Sequence, residues 1–150
     1  MPAAPHRNVP MSRLPVILLL ILSAVLATPA AEASGARQRA RLDQAQVAFA
    51  SALRWSEYES AWQQVDPEHR AAHPMTELEL ERYRQLQVTS YREGGNGQMD
   101  DGSIVRPVEI GVVNRHTQAE RTLRWREQWR WDEENKRWWA AGLPDFWDGQ

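Results

Sequence analysis

The chain has 150 residues, with 18 basic and 20 acidic side chains and no cysteine. So slight an acidic balance excludes broad electrostatic attraction to nucleic acid or anionic lipid. The absence of cysteine excludes disulfides, so burial of apolar side chains must hold the fold alone. Seventeen of the basic residues are arginine and one is lysine, which reads as the codon preference of a GC-rich genome before any phosphate-binding role.

Residues 1–33 have the pattern of an export signal. Arg7 and Arg13 precede an apolar run from Val16 to Ala27, and small residues follow, with Ala31-Glu32-Ala33 in an A-x-A arrangement. The run is shorter than the ~20 residues a bilayer span requires. Cleavage after Ala33, or alternatively after Ala30, is therefore expected in preference to retention as an anchor. Met11 begins an equally complete signal. Cleavage after Ala33 leaves 117 residues with a net charge of −3, enough for one ordinary domain. The expected location is the periplasm or exterior of a Gram-negative bacterium, without a stable membrane anchor.

Residues 34–41 are polar and read as a flexible leader, and residues 42–150 as a single domain. From Leu42 the apolar pattern is helical: Leu42, Phe49 and Leu53 recur at spacings of seven and four, and Trp55, Tyr58, Trp62 and Val65 at three, four and three, which predicts one long helix with a buried stripe. Asp66-Pro67 ends it and starts another, with Asp66 as N-cap and Pro67 in the first turn. His73 before Pro74 stops that second helix. Thr76 and Glu79 form a capping box for a third, whose apolar positions are Leu78, Leu80, Tyr83 and Leu86.

Four strands follow. Leu86 to Arg92 is the first, and the stretch from Glu93 to Gly102 is turn chemistry. Ile104 to Asn114 is the second, with Ile104, Val108, Ile110 and Val112 on its even face and Pro107 marking an edge or bulge. The third carries the plainest alternation in the chain: Leu123, Trp125, Trp129 and Trp131 occupy one face, and Thr122, Arg124, Arg126, Gln128 and Arg130 the other. Arg137 to Ala140 is the fourth. Leu143 to Trp147 is too aromatic for a free tail and is expected to pack back on the body. Helices first and an antiparallel meander second predict an α+β domain, with the long helix covering the apolar face of a curved sheet.

With this order of elements, the Trp-rich third strand and the closing Lys136-Arg137-Trp138-Trp139 segment, residues 40 to 142 resemble the NTF2-like domains. The resemblance implies an α+β cone, a pocket between sheet and helices, and often a dimer. It implies no single activity, because NTF2-like domains include isomerases, dehydratases and non-catalytic binding or assembly modules. A cystatin-like helix on a sheet is the nearest alternative.

Glu127 breaks the apolar face of the tryptophan strand. A carboxyl held between Trp125 and Trp129 is of the kind that exchanges a proton near neutral pH as a general acid or base. The competing expectation is that Glu127 pairs with an arginine or reaches water at a sheet end. Trp125, Trp129, Trp131, Tyr58, Tyr83 and Tyr91 are candidates to line a cavity, although large aromatics in a small core are first of all buried area. Trp138 and Trp139, being adjacent, point to opposite faces, which places one outside the core. Arg124, Arg126 and Arg130, with Arg106 or Arg115 beside them, form a stripe suited to an anion or a partner's carboxylates, or else a solvated face balanced by Glu109 and Glu120. His69 and His73 have metal-compatible spacing but lack a third fixed ligand, so no metal is expected. No phosphate loop, dinucleotide fingerprint or nucleophile elbow occurs, and no cofactor is implied. The leading expectation is a non-catalytic ligand-binding or protein-assembly module of the bacterial envelope, a homodimer where it follows the resemblance, taking a small apolar ligand or another envelope protein. The alternatives are a cavity enzyme of lyase, isomerase or hydrolase type using Glu127, and a surface module binding glycan or envelope protein through exposed tryptophan or the arginine stripe.

Overall fold

The computed structural model describes Met1 and residues 28–147. Most of the expected export signal, residues 2–27, lies outside the described residues. By its internal contacts the chain divides into residues 1–37 and residues 38–150, and the α+β fold belongs to the second unit.

Helix α1 runs over Thr28–Arg54. Residues 34–41, expected as a loose leader, are therefore helical. Alanine, arginine and glutamine are strong helix formers, and their lack of apolar periodicity reports only that they have no face to bury. From Leu42 onward the expected stripe is present: Leu42, Phe49 and Leu53 are buried.

The single helix expected through Val65 is broken instead. Ser56 adopts a positive φ of 58°. Its N–H donates to the Leu53 carbonyl at 2.9 Å, and the Glu57 N–H donates to the Ala52 carbonyl at 2.8 Å. These two bonds are the Schellman closure of a helix C-terminus, which ordinarily places glycine where Ser56 stands. Trp55, assigned to the buried stripe, falls at the break and is 76% exposed. The chain resumes as α2, Tyr58–Trp62, with Tyr58 and Ala61 buried.

The next two helices follow their local signals. Helix α3 is Pro67–Ala72, with the Asp66 side chain accepting from the Glu68 N–H and His73 as C-cap. Helix α4 is Glu77–Arg84, with the Thr76–Glu79 capping box fully formed. One expectation for α4 fails: Leu78 is 74% exposed, because the short helix turns only Leu80 and Tyr83 toward the core.

Strands β1 (Leu86–Glu93), β2 (Gly97–Gln98), β3 (Ile104–Asn114), β4 (Glu120–Asp132) and β5 (Arg137–Ala140) form one antiparallel sheet. Its order is β1-β3-β4-β5, with β2 pairing on β3. The four longer strands curve as a half-barrel against the helices. Burial along β4 alternates from Thr122 to Arg130, the odd residues facing inward, as its sequence requires. Phe49 of α1 meets Trp129 edge-on at 5.6 Å between ring centroids, and Leu53, Ile110 and Val112 belong to the same buried cluster. Phe146 packs against Tyr58 and Tyr83, so the C-terminal segment returns to the body as expected.

A β-bulge reshapes β1. Val88 pairs with Val112 and Ser90 with Gly111, leaving Thr89 as the extra residue. The insertion reverses the parity of the strand, so Tyr91 shares the inner face with Leu86 and Val88. Gly111 is needed opposite the bulge, since a Cβ there would lie 2.5 Å from the Ser90 Oγ. Pro107 sits in β3 just beyond the last β1 partner, Val108. There its missing N–H disrupts least, and its carbonyl accepts from the Gly94 N–H at 2.8 Å.

Candidate functional site

Glu127 is 0% exposed. Its direct cross-strand neighbour is Arg106 of β3, also buried. The pair is bidentate: Arg106 Nε donates to Oε1 at 2.9 Å and Nη2 to Oε2 at 3.1 Å. The Tyr91 hydroxyl donates to Oε2 and the Trp129 indole N–H to Oε1. Each carboxylate oxygen thus accepts two hydrogen bonds. Arg106 does not join the outer arginine stripe, as expected from sequence, but faces inward. The parity of β3 accounts for this, because Arg106 lies on the same even face as Ile104, Val108 and Ile110.

The arrangement is built to hold charge out of water. A buried carboxylate without partners costs several kcal/mol, and a bidentate guanidinium with further donors offsets that cost. Proton exchange with a ligand is a different task and needs access. Trp129, Phe49, Leu53 and Ile110 of the same core are, like Glu127, almost completely buried.

The tyrosine candidates have separate engagements. Tyr58 is buried and donates to the Leu86 carbonyl at 3.0 Å. Tyr83 donates to the Pro144 carbonyl at 3.2 Å. Only Tyr91 converges on Glu127. Burial pushes all three phenols above the ordinary tyrosine value. For Tyr91 the negative charge of Glu127 adds to the effect of burial.

The tryptophans divide among core and rim. Trp129 is core, Trp125 is half-buried with its ring 6.2 Å from that of Phe49, and half-buried Trp131 packs on Trp138 at 5.4 Å. Trp138 belongs to the main core cluster and Trp139 does not, as adjacent positions in a strand require. Trp139 is nevertheless covered on the outer face: Arg137 lies 3.7 Å above its ring, and its indole N–H donates to Asp132 at 3.0 Å.

Arg124 and Arg126 are exposed on the outer face, where they border a groove of about 480 Å³ with Arg92, Glu109 and Trp125. Glu109 takes Arg92 at 2.7 Å and Arg124 at 3.9 Å, exposed pairs of the kind worth ~0–1 kcal/mol. Arg130 is engaged elsewhere, 2.5 Å from the N-capping carboxylate of Asp66. Arg115 lies exposed in the β3–β4 turn, with its N–H bonded to the Gln85 carbonyl. His69 and His73 stack on one another at 4.8 Å. Among the described residues no three His, Asp or Glu side chains are grouped to hold a metal ion.

No family profile, characterised protein or solved structure matches the chain.

A second groove, unmarked by any sequence motif, lies between α1 and the outer edge of β5. It measures about 480 Å³ and includes Arg41, Gln44, Ala45, Ala48, Gln64 and Trp138 in its lining. Its only signal in sequence is the pair of small residues Ala45 and Ala48, three apart on α1, facing a strand.

Two outcomes follow from the buried cluster. Glu127→Gln leaves Arg106 buried without its counter-charge and should cost about 3–5 kcal/mol in urea denaturation. The triple variant Arg106→Met/Tyr91→Phe/Glu127→Leu removes the polar groups together and should be more stable than Glu127→Gln. A single-variant loss under ~1 kcal/mol would show that the pair does not hold the core.

Alkaline pH provides the second outcome. The folded protein keeps the Tyr91 proton at pH values where the unfolded chain, near the ordinary value of 10.0, has released it. Stability therefore falls as pH rises past that value, by at most ~1.4 kcal/mol per pH unit for one proton. Tyr91→Phe should make the decline between pH 9 and 11, measured by denaturant titration, shallower by that proton's share. An unchanged slope would contradict the buried phenol.

Proposed function

We propose that the chain is an exported NTF2-like domain of the bacterial envelope, working as a non-catalytic binding or assembly module. The observation that carries the non-catalytic part is the saturation of Glu127. Four hydrogen bonds hold its carboxylate, and the side chain is completely buried. A general acid or base must come within hydrogen-bond reach of the group it serves, and in this structure both oxygens of Glu127 are already taken by Arg106, Tyr91 and Trp129. The NTF2-like part is supported by helices preceding a four-stranded curved antiparallel sheet. Export is supported by Arg7, Arg13, the Val16–Ala27 run and Ala31-Glu32-Ala33.

With Glu127 engaged by its own neighbours, the module offers its surface to a partner. Trp55 is exposed, an uncommon state for a large aromatic and one that interfaces favour. This favours another envelope protein over a small apolar ligand held inside.

Purified protein challenged with ester, epoxide and enolisable ketone substrates should show no turnover beyond that of Glu127→Gln. Turnover that this variant abolishes while its circular dichroism stays native would establish the cavity-enzyme alternative. Mass spectrometry of the protein recovered from periplasm should give an N-terminus at Ser34 or Ala31. Recovery only from cytoplasm, with the first residues intact, would overturn export.

A further inference from the structure

Sheet edges are where a chain can accept another strand, and this protein closes most of its own. On β1, the Leu86 carbonyl accepts from Tyr58, the Val88 N–H donates to the Ser56 hydroxyl, and the Tyr91 carbonyl accepts from Arg54. On β5, the Ala140 N–H donates to the Gln64 carbonyl at 3.0 Å, and the Ala140 carbonyl accepts from the Asp66 N–H at 2.9 Å. Val65 lies alongside in a parallel bridge. Two alternations earlier, the Lys136 carbonyl accepts from Arg41 Nη1 at 2.6 Å.

Trp138 stands between these two protected positions. Backbone groups of alternate strand residues point the same way, so its N–H and C=O share the outward side with those of Lys136 and Ala140. The β4 side is used by the odd positions, as the Ala141 N–H shows by bonding to the Gln128 carbonyl at 2.9 Å. Among the described residues no hydrogen bond reaches the Trp138 backbone from that outward side. Trp138 is among the residues lining the groove described above. Ala45 and Ala48 leave room for a second backbone, and Gln44 and Gln64 supply amides at its borders. Of the charged residues of the lining, Lys136 is paired with Glu133 and Arg137 lies over the Trp139 ring, which leaves Arg41, bonded among the described residues only to the Lys136 carbonyl, as the cation facing a ligand.

We propose that this groove accepts an extended, acidic segment of a partner polypeptide, which adds beside β5. The partner's backbone pairs with the N–H and C=O of Trp138, as in other strand additions. A carboxylate of the segment meets Arg41, and Ala45 and Ala48 admit its small or apolar side chains. Displacing the Arg41 guanidinium from the Lys136 carbonyl frees one further acceptor and lengthens the pairing. The proposal rests on the binding-module reading and names its partner class.

The test titrates the ¹⁵N-labelled full chain with the capped peptide acetyl-Glu-Val-Glu-Val-Glu-amide and with its lysine counterpart. The acidic peptide should shift the Trp138 amide resonance and slow its hydrogen exchange at least about tenfold, and the lysine peptide should bind at least about tenfold more weakly. Ala48→Trp, an exposed position that fills the groove without touching the core, should abolish the response while thermal unfolding stays unchanged. A Trp138 amide indifferent to millimolar acidic peptide, equal binding of both peptides, or full binding by Ala48→Trp would each overturn the proposal. Protection of Trp138 that grows with protein concentration alone would overturn it in favour of a second copy of this chain. Failure here with no turnover in the substrate assay leaves the module reading standing at another surface, whereas turnover removes that reading first.

Discussion

Removing a carboxylate from water costs several kcal/mol unless close partners replace its hydration. In this protein that requirement is met at Glu127 by Arg106, Tyr91 and Trp129. The four residues come from β1, β3 and β4, so the polar cluster ties three strands to one point. Slipping β4 by one residue against β3 would turn its apolar set to solvent. Slipping it by two would keep the faces but separate Glu127 from Arg106, leaving two buried charges without partners. The ion pair therefore fixes a register that the alternating tryptophans alone leave open to two-residue shifts.

The same demand reaches back to the bulge in β1. Tyr91 could not meet Glu127 if β1 alternated regularly, because it would stand on the face opposite Leu86 and Val88. The extra residue at Thr89 turns it inward, and Gly111 gives the bulge room. Helix α1 ends where it does with a related consequence. The turn at Ser56 brings Ser56 and Tyr58 against β1, where together with Arg54 they cover its edge. Capping a free edge with side chains limits unwanted strand pairing. At β5 none of the described residues caps the Trp138 backbone, and Trp138 borders the groove that Arg41 lines. Stability and recognition thus share one device, since the groups that close the edges also delimit the place left open.

Local chemistry was legible wherever the signal was short-range. Asp66-Pro67, Thr76 with Glu79, and His73-Pro74 each set a helix boundary through groups within four residues of one another, and each boundary is present. Strand β3 and strand β5 have the bounds their patterns predict. The break at Ser56 was not legible, because a left-handed residue is signalled by glycine and this one is serine. Residues 34–41 were misread as a leader because a helix can extend without burying a face.

For the site, the sequence by itself determined that Glu127 interrupts an apolar face, and its two-residue period also carries the inward parity of Arg106, against the expectation that Arg106 joins the outer arginine stripe. Those two facts follow from a two-residue period and need no third dimension. Only the tertiary structure decided that the two residues are directly opposite, that Tyr91 crosses to the same face, and that both are shut off from water. Each depends on register, bulge or packing between segments 20 or more residues apart, and a period within one strand carries no information about its alignment with another. The open edge at Trp138 is of the same kind, because it exists only where α1, Gln64 and β5 come together.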